Sequence, residues 1–237
     1  MSSNFKFKQF EVAHDRCAMK IGTDGVLLGA WTPLDHNPKN VLDIGAGSGI
    51  IALQIAQRSA SQEIDAVEID AAAYEQCTEN FENSPWADRL FCYHASIQEF
   101  ASEIDETYDL IVSNPPFYSE DYKTESAARD LARFNEAMPF QHLAVSASHL
   151  LSEDGVFALI IPHKEKESFI SLAAQYRLLP FRICNVRGNN KTAFKRSLIA
   201  FSFQKKEIEL TELTIENSRH AYTEAYVDLV KYFYLKM

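Results

Sequence analysis

Residues 41–58 read VLDIGAGSGIIALQIAQR and combine a strand signal, a glycine-rich turn and a helix signal. The apolar start of this stretch is typical of a short buried strand, and the apolar spacing of Ile50–Arg58 is typical of a helix. The turn between them contains three glycines, Gly45, Gly47 and Gly49. Such a turn is a common binding site for a nucleotide-like molecule, because glycine lets the backbone come close to its ligand.

The spacing of the glycines separates two classes of cofactor. The dinucleotide fingerprint G-x-G-x-x-G would require glycine where Ile50 stands, and this turn reads G-x-G-x-G instead. An acid stands two residues before the first glycine, which is the pattern of methyltransferases that use S-adenosylmethionine (SAM). SAM has no pyrophosphate, but it carries a cationic sulfonium and an amino-acid end, so a nearby carboxylate is useful. The turn therefore predicts SAM contacts by Asp43, Gly45, Ala46, Gly47 and Gly49.

A second acid, Glu68, stands near the end of the next predicted strand, residues 63–69. In nucleotide-binding sheets a carboxylate at this place accepts hydrogen bonds from ribose hydroxyls. Surface or helix-capping acids are the alternative interpretation of Asp43 and Glu68. Their common position beside the glycine turn favours a cofactor role for both.

Apolar strands alternate with helices along most of the chain. Further strands are predicted at 90–94, 108–113, 156–161, 181–186 and 197–203, and helices at 71–83, 136–151 and 164–176. This alternation implies a mostly parallel sheet covered by helices on both faces. The last two strands have no helix between them, so we expect an antiparallel pair at one edge. The predicted fold is α/β and Rossmann-like, with a mostly parallel seven-stranded sheet and an antiparallel edge strand.

The first 39 residues lack this alternation and are predicted to form a flank or lid over the cofactor site, while residues 40–237 form the main domain. Within the flank, Thr23 or Asp24 is a plausible N-cap for a helix that ends at Trp31. At the other end of the chain, residues 222–235 are aromatic-rich with apolar residues at helical spacing, which predicts a helix packed on the core.

Composition limits the class of protein. The content is 46% apolar and 24% charged, which is ordinary for a soluble globular chain. No apolar run approaches the length of a membrane helix or a signal peptide, and the four cysteines are widely spaced without a C-x-x-C pair. We therefore expect a cytoplasmic protein with no membrane partner, no disulfide framework and no metal. The net charge of -10 disfavours a nucleic-acid partner, but a local basic patch can overcome it.

A second decisive stretch, residues 108–117, reads YDLIVSNPPF. A strand ends there and Asn114, Pro115, Pro116 and Phe117 follow, at the sheet edge where ligands bind in α/β folds. A strand stop followed by a rigid loop is the alternative interpretation. One proline would be enough for that purpose, and the position behind a SAM-type turn favours a catalytic role.

The chemistry of this run suits a planar NH2 group. The nitrogen of an aryl or amide NH2 is a poor nucleophile because its lone pair is delocalised. Two acceptors, the side-chain oxygen of Asn114 and the backbone carbonyl of Pro115, would favour a pyramidal nitrogen and expose that lone pair. The prolines fix the backbone and remove competing N–H donors. Phe117 offers a flat face on which a base can stack.

DIGAGSG, AVEID and SNPPF resemble the motifs of amino-methyltransferases that modify adenine N6, guanine N2 or glutamine amides. HDRCAMKIGTDGVLLGAW at 14–31, ENSPWADRL at 82–90 and the terminal YTEAY…FYL extend the similarity over nearly the whole chain. Together they resemble the tRNA(Val) adenine-N6 methyltransferase family, which methylates the adenine just 3′ of the anticodon. The resemblance implies a SAM-dependent enzyme acting on position 37 of a valine tRNA.

The resemblance also carries residue roles. It implies SAM contacts by Asp43, Gly45, Gly47 and Glu68, and a target-amine site at Asn114, Pro115 and Phe117. It further implies that Lys20 and the segment Gly22-Thr23-Asp24 close over the methionine end of SAM. Two positions depart from the family pattern. Ser96 stands where an Asp often binds the SAM adenine, so that contact is weaker or comes from elsewhere, and Phe117 stands where Tyr is also common.

A tRNA substrate requires positive groups, and the loop between the last two predicted strands is the densest source. It contains four cations and no acid: Arg187, Lys191, Lys195 and Arg196. Arg129 and Arg133 are further candidates, although acids stand close to them in the sequence. Ordinary solvated surface cations are the alternative interpretation. An anticodon-loop adenine is already single-stranded, which lessens the need for a strongly basic surface.

Other functions fit parts of the sequence. A glutamine-amide methyltransferase of release factors shares the Asn-Pro-Pro run, but usually has a helical N-terminal domain. Guanine-N2 methylation of rRNA is another possibility. A SAM-binding regulatory protein without turnover is disfavoured by the intact Asn114 and Pro115. No obligate protein partner is evident from the sequence.

Overall fold

The computed structural model describes residues 4–116 and 139–237. Its centre is a sheet whose strands run in the order β11-β10-β8-β9-β7-β6-β3-β4-β5. The strands are β3 (Asn40–Ile44), β4 (Glu63–Glu68), β5 (Leu90–His94), β6 (Tyr108–Ser113), β7 (Leu151–Pro162), β8 (Leu179–Asn189), β9 (Arg196–Ser202), β10 (Glu209–Ser218) and β11 (Ala221–Tyr222). The strands β5, β4, β3, β6 and β7 are parallel neighbours, and β9 is antiparallel to both β7 and β8.

All seven predicted strands are present in this sheet, and the Rossmann-like α/β class is confirmed. One expectation was wrong, because the antiparallel pair β8–β9 does not end the sheet. Strand β10 pairs in parallel with β8, and β11 follows it on the outside. The sequence of β10 carries no apolar run because most of its residues are exposed or half-buried at this edge. Strands of this kind lack the buried face on which prediction from apolar patterning depends.

Helices cover both faces of the sheet, as the alternation predicted. They are α1 (Thr23–Trp31), α2 (Ile50–Arg58), α3 (Ala71–Glu82), α4 (Ile97–Glu103), α5 (Phe140–Leu150), α6 (Lys166–Gln175) and α7 (Glu224–Val230), with a 3-10 turn at His163–Glu165. One buried cluster contains Leu53 and Phe81 beneath α2 and α3, and a second contains Leu143 and Phe169 beneath α5 and α6. Truncating a fully buried leucine such as Leu53 to alanine is expected to cost about 2–5 kcal/mol of stability.

Three local expectations need correction. Helix α1 begins at Thr23 with Gly22 as its N-cap, so neither Thr23 nor Asp24 caps it. The C-terminal helix is confined to α7, because β11 occupies the start of the predicted range. Helix α4 was not predicted, although Ser96 and Glu99 form a capping box at its start. Of the helix predicted over residues 136–151, residues 136–138 lie outside the described residues.

The N-terminal flank packs on the main domain. It begins with a small hairpin of β1 (Phe5–Lys6) and β2 (Glu11–Val12). Phe7 and Phe10 in this hairpin belong to the buried cluster beneath α2, and Phe7 forms a β-bridge with Tyr234 near the other chain end. In the part of the chain that the structure describes, no helix is both long and apolar enough to span a membrane.

Candidate active site

The predicted site residues converge at one edge of the sheet. Strand β3 lies between β4 and β6, so the ends of β4 and β6 are separated by two strand spacings, about 10 Å. Glu68 is the last residue of β4, and Asn114 follows Ser113, the last residue of β6. Ser113 Oγ donates to the Ile44 carbonyl across 2.8 Å, which fixes the end of β6 against β3. The crevice above these strand ends is the candidate active site.

The glycine turn presents an open side to this crevice. Gly45, Gly47 and Gly49 have φ values of 72°, 55° and 75°, in the left-handed region that favours glycine. A Cβ atom on Gly45 or Gly47 would meet no other atom within 4 Å, so space remains above the turn. On Gly49 it would lie 2.5 Å from Phe81 Cε1 and 2.8 Å from Cys77 Sγ. The first two glycines therefore leave open space above the turn. Gly49 instead packs against Phe81 and Cys77, where a side chain would not fit.

Glu68 is held in place by the turn. Its side chain is buried, its Oε2 accepts from the Gly47 amide at 2.7 Å, and its Oε1 accepts from the Asp70 amide at 2.9 Å. Each carboxylate oxygen has a second lone pair that can accept a hydroxyl proton. Glu68 is thus oriented for the ribose role that the sequence predicts.

Asp43 is fully buried behind the same turn. Its Oδ2 accepts from the Ala52 amide at 3.1 Å, while its Oδ1 has no hydrogen-bond partner among the described residues. Burial raises the pKa of this carboxyl to about 7, against the lowering effect of the Ala52 bond and with a smaller contribution from Glu68. A buried carboxylate oxygen without a partner is costly unless a donor or a cation joins it. The cationic cofactor that the glycine spacing predicts would meet that need.

Asn114, directly after β6, also has a buried oxygen without a hydrogen-bond partner among the described residues. Its Oδ1 is buried and has no hydrogen-bond partner in residues 4–116 and 139–237. Pro115 is buried and Pro116 is half-buried, so the acceptor stands on a rigid base. Phe117 lies outside the described residues. The unpartnered oxygens of Asp43 and Asn114, together with the open glycine turn, fit a SAM-and-amine site.

Lys20 belongs to a closed loop, residues His14–Ile21, which we call the flank loop. Lys20 Nζ donates to the carbonyls of His14 and Asp15 at 2.8 and 3.1 Å, and the Ile21 amide donates to His14 Nδ1 at 2.9 Å. The Lys20 ammonium is therefore engaged within its own loop. Gly22 and Thr23 follow the loop at the start of α1, and both are exposed.

Cys17 in the flank loop is affected by the charge of Glu68. This cysteine is not identified from the sequence. Its side chain is buried, and burial followed by the negative charge of Glu68 raises the pKa of its thiol to about 11. The charge of Glu68 therefore acts on this thiol of the flank loop. A single cysteine in a segment without periodicity gives no signal from which this position could be predicted.

Ser96 uses its hydroxyl for helix capping. Its Oγ donates to Glu99 Oε2 at 2.8 Å and accepts from the Glu99 amide at 3.2 Å. The side chain is thereby committed to the start of α4. That the SAM adenine contact at this position is weaker, or comes from elsewhere, stays a prediction.

The basic hairpin between β8 and β9 lies at the same sheet edge as Asn114, because Arg196 pairs with Pro162 at the end of β7. Two of its cations have acidic partners. Arg196 Nε lies 2.7 Å from Asp24 Oδ2, and Arg187 Nη2 lies 3.3 Å from Glu212 Oε2. Lys191 and Lys195 are exposed, and neither forms an ion pair within the described ranges. Arg129 and Arg133 lie outside the described residues.

A large groove lies apart from the glycine turn on the described part of the chain. A groove of about 850 Å³ lies between the flank and α3, where Arg16, Glu79 and Asn80 line it, but it contains none of the glycine-turn residues. Among the described residues, no group of three or more His, Cys, Asp or Glu side chains is arranged to hold a metal ion.

Comparison with known proteins gives the family. The model of the methyltransferase small domain matches residues 25–175. A tRNA1(Val) (adenine(37)-N6)-methyltransferase from Flavobacterium psychrophilum is 58% identical over 98% of this chain and 100% of its own length. The protein of the same name from Flavobacterium johnsoniae is 59% identical, again over 98% of this chain and 100% of its own length.

A solved structure supports the fold independently. A predicted O-methyltransferase from Agrobacterium tumefaciens superposes with a TM-score of 0.70 at 19% identity, covering 88% of this chain and 96% of that one. Likeness at this identity concerns the fold alone. The sequence relatives decide the narrower family and confirm the resemblance drawn from the motifs and flanks: the chain belongs to the family of tRNA1(Val) (adenine(37)-N6)-methyltransferases.

Proposed function

We propose that this chain transfers the methyl group of SAM to the N6 amine of the adenine at position 37 in a valine tRNA. The observation that carries the proposal is the buried Oδ1 of Asn114, which has no hydrogen-bond partner among the described residues and lies beside the open side of the glycine turn. Family membership supplies the identity of the base and of the tRNA.

The cofactor half of the site is formed by the turn and the two acids. SAM, when bound, supplies an electrophilic methyl group on its sulfonium. Glu68, oriented by the Gly47 and Asp70 amides, would accept the ribose hydroxyls. Asp43 would stabilise the cationic charge of the cofactor from behind the turn, and the bare backbone at Gly45 and Gly47 allows close approach.

The amine half of the site acts by position and electrostatics. Asn114 Oδ1 and the Pro115 carbonyl would each accept one hydrogen of the adenine NH2, so that the nitrogen lone pair points toward the methyl group. Pro116 holds the Pro115 carbonyl in place, and Phe117 would stack the base. The extra proton on the methylated nitrogen is strongly acidic and leaves to water, so no side-chain base is required.

The tRNA would be held mainly by the basic hairpin. Lys191 and Lys195 are exposed and form no ion pair with the described residues, so their ammonium groups would bind phosphates, and Arg187 adds a partly neutralised charge. Arg196 is engaged with Asp24 and contributes less, and Arg129 and Arg133 remain candidate contacts. An anticodon-loop adenine is single-stranded, so turning it into the crevice requires little unstacking. A tRNA substrate would place the enzyme in the cytoplasm.

The test is a methyl-transfer assay with isotope-labelled SAM. Unmodified bulk tRNA, a purified unmodified valine tRNA, rRNA and a release factor are offered separately, and the RNA products are digested to nucleosides. We expect label only in N6-methyladenosine from tRNA, at position 37 of the valine species. Label in the release factor or in N2-methylguanosine, with none in tRNA, would refute the proposal. SAM binding without transfer to any of the four would indicate a regulatory protein.

A further inference from the structure

Helix α3 carries one buried amide that joins the flank to the glycine turn. Asn80 is 4% exposed. Its Nδ2 donates to the Ser48 carbonyl at 2.9 Å and to the Ala13 carbonyl at 2.8 Å, and its Oδ1 accepts from the Ala13 amide at 2.9 Å. A single side chain thus satisfies both backbone groups of Ala13 and one backbone group of the turn.

One partner of Asn80 belongs to the glycine turn, and the other borders the flank loop. Ser48 lies within the turn, between Gly47 and Gly49. Ala13 is the last residue before the flank loop, which is closed on itself by the bond from the Ile21 amide to His14 Nδ1. Fixing Ala13 therefore fixes one end of a loop that already has a defined shape.

The charge of Glu68, the acid expected to hold the ribose, acts on a side chain of the flank loop. Cys17 is 5% exposed, and the charge of Glu68 acts on its thiol. The other end of the loop continues into α1, whose Asp24 is ion-paired with Arg196. Asn80 bonds to both the N–H and the C=O of Ala13. Between Ala13 and Asp24, no other side chain of the described residues bonds to both the N–H and the C=O of a single residue.

We propose that Asn80 is a positioning residue, which seats the flank loop on the glycine turn so that the loop covers bound SAM. Asn80 itself touches neither cofactor nor adenine in this role. The proposal rests on the proposed function only in taking SAM as the ligand. In this proposal, α3 holds the flank loop and the glycine turn in a fixed position relative to each other.

The sharpest variant is Asn80→Asp, which keeps the shape and the acceptor for the Ala13 amide. It replaces the donor by an oxygen that faces the Ser48 and Ala13 carbonyls, so the flank is repelled from the turn. We expect KM and Kd for SAM to rise by about tenfold or more, while kcat at saturating SAM and KM for tRNA stay within about threefold, because the Asn114 site is untouched. Hydrogen exchange in a peptide covering residues 13–21 should accelerate even without SAM.

The matched control is Asn83→Asp at the C-cap of the same helix. Asn83 is exposed and its side chain donates to the Glu79 carbonyl in the last turn of α3, so SAM binding and flank exchange should remain at wild-type values. A second variant, Asn80→Ser, removes the amide without adding charge and should show the same split between KM and kcat.

Several results would overturn the proposal. Wild-type SAM affinity and wild-type flank exchange in Asn80→Asp would do so, as would a loss of kcat at unchanged SAM affinity. Failure of both Asn80 variants to fold would assign Asn80 to general stability instead. Failure of the proposed function is a separate result: the wild-type protein would then bind no SAM or methylate no tRNA, whereas the exchange measurement on the ligand-free protein still tests the seating of the loop.

Discussion

Arg196 Nε donates to Asp24 Oδ2 across 2.7 Å and so joins the basic hairpin to the first turn of α1. Both side chains are about three-quarters buried, with 29% and 27% of their side-chain surface exposed. The sequence makes Arg196 a candidate RNA contact, but Asp24 already neutralises part of its charge. This ion pair connects the hairpin with the segment that is expected to close over the cofactor. The hairpin lysines, Lys191 and Lys195, have no acidic partner in the part of the chain that the structure describes.

The first prediction concerns how much each of these cations contributes to binding the phosphates of tRNA. Replacing both Lys191 and Lys195 by Gln should weaken tRNA binding and reduce the slope of log K against log salt by about 2, since each phosphate contact contributes about one unit. Arg196→Gln should change that slope by less than about 0.5, because its charge is already opposed by Asp24. Filter binding or anisotropy over a range of salt concentrations measures the slopes.

A charge-swapped pair separates structure from RNA contact. Asp24→Arg with Arg196→Asp preserves the ion pair in reverse and should recover most of the thermal stability lost in either single variant. Each single loss should be about 1 kcal/mol or less, because the pair is partly solvated. A salt slope in Arg196→Gln as low as that of the double lysine variant would show that Arg196 binds phosphate directly.

The second prediction contrasts two glycines of one turn. Gly49→Ala should lower the free energy of unfolding by about 2 kcal/mol or more, because its Cβ would press on Phe81 and Cys77 and the residue has positive φ. Gly45→Ala adds its methyl group to open space and should lose only about 1 kcal/mol from backbone strain, while SAM affinity falls clearly. Urea unfolding and calorimetric SAM titration measure the two effects, and equal loss of stability in both variants would contradict this division.

The sequence predicts best where residue type and spacing act locally. The strand, turn and helix over residues 41–58 are found as expected, because an apolar run, three glycines and a helical stripe each act within a few residues. Strand β10 was missed because an edge strand buries little. The Asp24–Arg196 pair joins residues 172 positions apart, and nothing in either neighbourhood predicts it.

The same limit applies to the site. Asp43, Glu68 and Asn114 could be predicted from the sequence to lie together because each is at or directly after the end of a recognisable strand in a parallel sheet, and the carboxyl ends of such strands meet at one edge. Asn80 lies in the last turn of a helix and Cys17 in an aperiodic loop. Their contacts with the turn and with Glu68 depend on how α3 and the flank pack, which no local pattern encodes.

The third prediction tests the role of Asn114. Asn114→Ala should reduce kcat by about 10²–10³, the usual loss when one preorganised hydrogen-bonding group at the reacting centre is removed. SAM affinity should stay within about threefold, because the proposed ribose and sulfonium contacts are assigned to the ends of β3 and β4. Single-turnover kinetics together with a SAM titration give both values. An equal collapse of SAM affinity would mean that Asn114 serves the cofactor and not the amine.

The fourth prediction follows from the state of Asp43. In the ligand-free protein burial raises the pKa of its carboxyl to about 7, so at pH 6 most molecules carry it protonated and neutral. A cation bound nearby favours the ionised form and lowers that pKa, so SAM binding should release a proton from Asp43. The Kd for SAM should therefore fall as pH rises, by up to about tenfold per unit below pH 7, and should level off above about pH 8.

Asp43→Asn removes this titration and serves as its control. The amide is neutral at every pH, so its SAM affinity should resemble that of the protonated wild type and should vary only with the cofactor's own amino group. Calorimetric titrations at pH 6 in two buffers of different ionisation enthalpy should detect proton release in the wild type and markedly less in the variant. Equal proton release in both proteins would place the linked group elsewhere, because Asp43 would then already be ionised before SAM binds.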